Sequence, residues 1–186
     1  DSGIDIVDIC ICPTTLQYFS LFHLPIDGGV MITGSHNPPE FNGMKLSIGK
    51  ETLYGPKIQE IRRIAEKGDF IHGKGKAETY EIIPAYIEHL RKNFSSFNRI
   101  KVVVDAGNGT AGLVAPRLIR ELGCEVIELY CEPDGNFPNH HPDPTVMENI
   151  KDLIAKVVSS GANIGIGYDG DADRIGVVSD KEEVIW

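Results

Sequence analysis

A chain of 186 residues is long enough for one large domain or two small ones, each able to bury a core. Hydrophobic content of 41% and charged content of 24% are those of an ordinary globular protein. The net charge of −9, with no basic run or aromatic-basic stretch, argues against nucleic acid. It leaves phosphorylated small molecules open, because a few local cations and a bound metal reverse the field in a cleft.

No apolar stretch reaches the ~18 residues of a membrane helix and no signal peptide opens the chain, so a cytoplasmic location without a membrane partner is expected. Cys10, Cys12, Cys124 and Cys131 form no CxxC pair and lie in apolar runs, as buried, reduced, small side chains would. The chain begins on Asp1-Ser2-Gly3 without a methionine and stops inside the strand-like Glu183-Val184-Ile185-Trp186. It is therefore expected to be an internal piece of a longer protein.

In chain order, Ile4–Ile11 is a nearly continuous apolar run, the pattern of a strand buried on both faces. Thr14 and Gln17 make a capping-box pattern that opens a helix to about Leu24. Residues 29–33 predict a strand that runs directly into Gly34-Ser35-His36-Asn37-Pro38. A second helix, 56–67, places Ile58, Ile61, Ile64 and Ala65 on one face. The polar, glycine-rich 72–76 marks a domain boundary nearby. Beyond it, Ile82, Ile83, Tyr86, Ile87, Leu90 and Phe94 mark an amphipathic helix. Strand 100–104, helix 113–122, strand 125–130, helix 148–158 and strand 163–167 follow, then a hairpin over 174–179 and 184–186. Alternating strands and helices imply an α/β fold of βαβ units with largely parallel sheets.

Two loops carry the chemistry. Asp169-Gly170-Asp171-Ala172-Asp173-Arg174 sets three carboxylates at alternate positions, which project to one side of an extended segment. Three like charges so close are costly unless a cation sits among them, and oxygen-only ligands favour Mg²⁺, Ca²⁺ or Mn²⁺. An EF-hand is excluded, since position 6 is Arg174, position 12 is Asp180 and the flanks are strands. In the other loop Ser35 offers a hydroxyl nucleophile on a turn-forming stretch, with Lys45 ten residues on. A serine plus a hard-metal site is the equipment of phosphoryl transfer.

Two other patterns invite different readings. Gly107-Asn108-Gly109-Thr110-Ala111-Gly112 follows a strand and precedes a helix, the context of a dinucleotide-binding fingerprint, with Glu128 at a suitable distance. Asp105 would set a carboxylate near a pyrophosphate, and the glycines serve equally for a tight turn, so the structural reading is preferred. His140 and His141 lie in a proline-stiffened loop and lack the spacing of a helical metal pair, so no zinc is expected there.

Residues 29–39, followed by Asn42-Gly43-Met44-Lys45, resemble the phosphoserine loop of the α-D-phosphohexomutases. The similarity is greatest to the bacterial phosphomannomutase/phosphoglucomutase branch. Segments 104–109 and 138–144 resemble that branch's second domain. The acidic loop resembles its metal-binding loop, with Ala172 where glycine is usual and therefore expected to keep ordinary backbone angles. The resemblance covers essentially the whole chain. It implies two α/β domains: 1–80 as the latter part of the phosphoserine-loop domain and 81–186 as the metal-loop domain, the third and fourth domains lying outside.

It further implies an isomerase, an intramolecular phosphotransferase that interconverts hexose 1-phosphate and hexose 6-phosphate of mannose or glucose. Ser35 would carry the phosphoryl group. Asp169, Asp171 and Asp173, with a phosphoserine oxygen, would hold Mg²⁺, and a hexose 1,6-bisphosphate would be activator and intermediate. Arg174 and Asn37 would contact the phosphate of the substrate. His36 and Lys45 would sit beside the reacting hydroxyl, Lys45 as an acid/base group. The alternatives are a metal-dependent phosphatase using Ser35 and a nucleotide-binding module built on Gly107–Gly112.

Overall fold

The computed structural model describes residues 2–97 and 99–185. The firmest part is a five-stranded sheet. β6 (Lys101–Asp105) is an interior strand, paired in parallel with the edge strand β7 (Glu125–Leu129) on one side and β8 (Ile164–Tyr168) on the other. β9 (Ile175–Ser179) and β10 (Val184–Ile185) continue the sheet antiparallel beyond β8. Trp186, placed in that hairpin from the sequence, lies outside the described residues, as does Asp1.

The apolar run Val102-Val103-Val104 suits β6 to an interior position. All three are buried, and alternate side chains leave on opposite faces. Val103 packs into a cluster with Leu153 and Val157 of helix α5 (Lys151–Ser160) and with Val178. Val102 and Val104 pack with Ala115 of helix α4 (Ala115–Glu121) on the other side. Each fully buried side chain of this kind stabilises the fold by roughly 1.5–3 kcal/mol. Both helices are entered through 3-10 turns, Thr110–Leu113 and Met147–Ile150, so each is shorter than its apolar pattern suggests.

The first part of the chain is less regular than predicted. β2 (Gly28–Ile32), β3 (Met44–Ile48) and β4 (Glu51–Thr52) form an antiparallel sheet. The apolar 4–11 run yields only β1 (Ile6–Asp8), which pairs in parallel with β5 (Ala77–Thr79). It is not buried on both faces: Ile4 is 70% exposed and Ile11 71%. The physical reason is that β1 and β2 do not pair. Between them lies a cleft of about 1480 Å³, lined by Ile6, Val30 and Ile32 and reached by Gln17 and Ser47. Gln17 and Ser47 are buried, yet their side-chain polar atoms find no partner among the described residues.

Helix α1 (Thr14–His23) begins as predicted, but without the capping box. Gln17 makes no reciprocal bond, and the Thr14 hydroxyl is used elsewhere. Helix α2 (Pro56–Lys67) forms with its proline at the first turn, yet buries none of its residues, so its apolar face is exposed or half-exposed. Helix α3 (Ile82–Asn93) buries Ile82 and Ile87 against Leu16 of α1 and Val114. That shared cluster fastens the two halves of the chain together. Among the cysteines, Cys12 is buried, Cys124 and Cys131 are half-buried, and Cys10 is exposed on the open side of β1.

Candidate phosphoryl-transfer site

The serine loop and the acidic loop, remote in sequence, meet in one place. The acidic loop joins β8 to β9. The serine loop joins β2 to β3, and the pairing of Met31 with Lys45 fixes Lys45 beside the loop's base. Ser35 Oγ lies 3.2 Å from Asp169 Oδ2 and 3.1 Å from Asp171 Oδ1, so its one hydroxyl proton has two carboxylates to choose between. The loops touch through their backbones as well: a side chain at Gly170 would strike the Ser35 carbonyl oxygen, so glycine is the residue that fits. Ser35 itself sits at φ +54°, in the left-handed region that a non-glycine residue occupies at a cost.

Thr33 and Thr14 complete the seat. The Thr33 hydroxyl accepts from the Ser35 backbone N–H at 2.8 Å and donates to Asp171 Oδ2 at 3.0 Å. The Thr14 hydroxyl donates to the same oxygen at 2.7 Å, while its backbone N–H donates to the Asp171 carbonyl at 2.9 Å. Neither threonine stands out as a site residue in the sequence: Thr14 has the pattern of a helix cap, and nothing local distinguishes a cap from a long-range donor.

The glycine-rich turn after β6 serves the acidic loop. A side chain at Gly109 would meet the Gly170 carbonyl oxygen at 2.7 Å, and the Thr110 N–H donates to that oxygen at 3.0 Å. Asp105 is buried and accepts from the Gly107 N–H at 2.9 Å. The turn therefore faces protein where a dinucleotide fingerprint would face a pyrophosphate.

The remaining predicted residues divide into those that converge and one that stays apart. Lys45 Nζ reaches Asp171 Oδ2 and Asp173 Oδ2 at 2.6 Å each. His36 Nδ1 is 3.3 Å from Ser35 Oγ, and its Nε2 faces an Arg174 guanidinium nitrogen at 3.4 Å. Asn37 is exposed, and its backbone N–H closes a turn onto Gly34. It opens with Ser35 onto a cleft of about 740 Å³, whose lining omits His36, Lys45 and Arg174; the polar face bearing those three is where the chemistry converges.

The electrostatics are those of a crowded anionic site. Burial pushes the Asp169 carboxyl up and the charges of Asp171 and Asp173 push it further, against backbone N–H donors from Arg174 and Asp173. Burial also works against ionised Asp171, but hydrogen bonds from Lys45 and Thr14 win and hold it below the usual carboxylate range. Burial disfavours the Lys45 ammonium, and its two carboxylate partners more than restore it, so it stays protonated. One oxygen from each of Asp169, Asp171 and Asp173 lies within 4.8 Å of the others. An all-oxygen set whose charge Lys45 offsets only in part fits a hard divalent cation.

Ala172 departs from its expected conformation. It sits at φ +58°, so the loop keeps a left-handed residue there and alanine bears the strain.

A family model described as phosphoglucomutase/phosphomannomutase, alpha/beta/alpha domain II, matches residues 84–182, more than half of the chain. The chain belongs to this family. The corresponding domain I model matches residues 1–72. The chain is 48% identical over 186 residues to a phosphomannomutase/phosphoglucomutase of Pseudomonas aeruginosa, covering all of this chain and 40% of that protein. It is 45% identical over 188 residues to a phosphoglucomutase of Neisseria gonorrhoeae, covering 41% of it. A crystal structure of a phosphoglucomutase/phosphomannomutase family protein from Burkholderia thailandensis superposes with a TM-score of 0.95 at 41% identity, over all of this chain and 42% of that one. The chain thus spans about two fifths of the length of the curated relatives it matches. Among the described residues, no helix is long and apolar enough to cross a membrane.

Proposed function

We propose that the chain contributes the phosphoryl-carrying half of a hexose-phosphate mutase, with residues 1–80 bearing the phosphoserine loop and 81–186 the metal loop. The observation that carries this reading is the approach of Ser35 Oγ to Asp169 and Asp171 at 3.2 and 3.1 Å. A nucleophilic oxygen within reach of an oxygen-only cation cage is the geometry that phosphoryl transfer needs. Asp169, Asp171 and Asp173 would hold Mg²⁺, which when bound neutralises charge on the phosphoryl oxygens.

The chain's own groups account for the rest. Ser35 carries the phosphoryl group on Oγ; the Oγ–P bond breaks as a sugar hydroxyl oxygen bonds to phosphorus. The hydroxyl loses its proton and Ser35 Oγ regains one. Lys45 Nζ, one carboxylate away from Ser35, and His36 Nδ1 are placed to carry those protons. Arg174, held beside His36, and the exposed Asn37 would meet the phosphate of the substrate. A hexose 1,6-bisphosphate, turned over between two transfers, would return its other phosphate to Ser35. Whether mannose or glucose phosphate is taken falls to residues outside this chain.

The test is a coupled assay of glucose 1-phosphate conversion. The 186-residue chain alone should turn over negligibly, whereas a chain extended to its relatives' length should isomerise the substrate and lose that activity in Ser35→Ala. Release of inorganic phosphate as the main product would instead make the site a phosphatase.

A further inference from the structure

Lys45 is held in a way that its acid/base role does not require. Its ammonium bridges Asp171 and Asp173 at 2.6 Å to each, two of the three carboxylates of the candidate cation cage. The other donors to Asp171 are fixed, since Thr14 and Thr33 have short side chains on a buried helix start and at a strand end. Lys45 differs from them. Its backbone is pinned in the β2–β3 ladder, but four methylenes separate that anchor from the charge, and the side chain is 25% exposed. It can swing outward without opening a core.

A lysine and a divalent cation compete for these two carboxylates. An ammonium and a dication touching the same carboxylates would stand only a few ångströms apart and repel strongly. We propose that Lys45 is an exchangeable counter-ion: uptake of a divalent cation by Asp169, Asp171 and Asp173 expels the ammonium from Asp173 and frees it to donate a proton to Ser35 Oγ as the Oγ–P bond breaks. The cation then assembles the phosphoryl-binding cage and unlatches the acid/base group in one event. Without it, the lysine offsets part of the acidic loop's charge and stays bound to it. The consequence for catalysis rests on the phosphoryl-transfer reading; the exchange itself does not.

The test is Mn²⁺ binding followed by electron paramagnetic resonance, with Mn²⁺ as the probe. Lys45→Met should bind Mn²⁺ at least about fivefold more tightly than the unmodified protein, the effect of removing a competitor with two partly exposed ion pairs. Lys45→Arg, which keeps the charge, should show no such gain. Equal or weaker binding by Lys45→Met would overturn the exchange. A structure of the unmodified protein with Mn²⁺ decides independently of any variant's folding. Lys45 Nζ should leave hydrogen-bonding range of Asp173, and its persistence there beside the bound ion would refute the proposal while leaving the metal cage intact. Failure of both the unmodified protein and Lys45→Met to bind Mn²⁺ would defeat the cage and the exchange together.

Discussion

Thr14 Oγ1 donates to Asp171 Oδ2 at 2.7 Å across 157 residues of sequence. With the Thr14 backbone N–H on the Asp171 carbonyl, it ties the first helix to the acidic loop. Thr14→Val keeps the shape and removes the donor, leaving a buried carboxylate short of one partner. The expected loss is about 1–2 kcal/mol of unfolding free energy, read from urea titrations. An unchanged midpoint would show that the contact adds nothing.

Ala172 at φ +58° predicts a gain from the opposite kind of change. Alanine bears roughly 1 kcal/mol or more in the left-handed region, part of which glycine's greater unfolded-state freedom takes back. Ala172→Gly should raise stability by about 0.5 kcal/mol or somewhat more, seen as a higher Tm. A lower Tm would mean that the alanine methyl group packs usefully.

These two residues also show where sequence reasoning stopped. The pairing of a nucleophile with a carboxylate cluster was readable, because three alternate carboxylates have little use without a cation; the serine loop alone reads equally as a turn, and its resemblance to a phosphoserine loop supplies the rest. The strand β6 was readable from its unbroken valine run. The site role of Thr14 was not, since a helix-start threonine looks the same whether it bonds locally or to a distant loop. The exposure of β1 was hidden for a related reason. An apolar run reports what its surface requires and not which neighbour supplies it. Ala172 misled because backbone angle is imposed by the loop's closure, and the residue type follows only at a cost.

His140 gives a pH dependence. Its Nε2 faces both Asp105 oxygens at 3.1 Å and its Nδ1 faces the His141 carbonyl at 2.9 Å, two acceptors that require both ring nitrogens to be protonated. Burial opposes that charge, but the hydrogen bonds from the ring to Asp105 and the His141 carbonyl, with the field of Asp152, raise its pKa above the usual histidine value. Tyr130, edge-on to the ring, is the other titratable neighbour. A raised folded value means the stabilisation is complete below about pH 6.5 and disappears as pH rises through that folded value. His140→Gln should therefore cost about 1–2 kcal/mol in mild acid and progressively less in alkali. A difference independent of pH would show the ring to be neutral.

Gly170 is where the backbones of the two loops come into contact. A methyl group there would strike the Ser35 carbonyl. Gly170→Ala should lower activity of the extended enzyme far more than it lowers stability, because a small separation of nucleophile and cage is costly to a positioned reaction. Comparable kcat with a lowered Tm would assign the glycine to packing alone.

The central claim is that Ser35 and the three aspartates form one phosphoryl-transfer site. Its most direct test is phosphopeptide mapping of the extended enzyme after incubation with Mg²⁺ and a hexose 1,6-bisphosphate. The account predicts phosphate on Ser35, sharply diminished in Asp169→Asn. Phosphate on another residue, or labelling of Ser35 indifferent to Asp169, would contradict it.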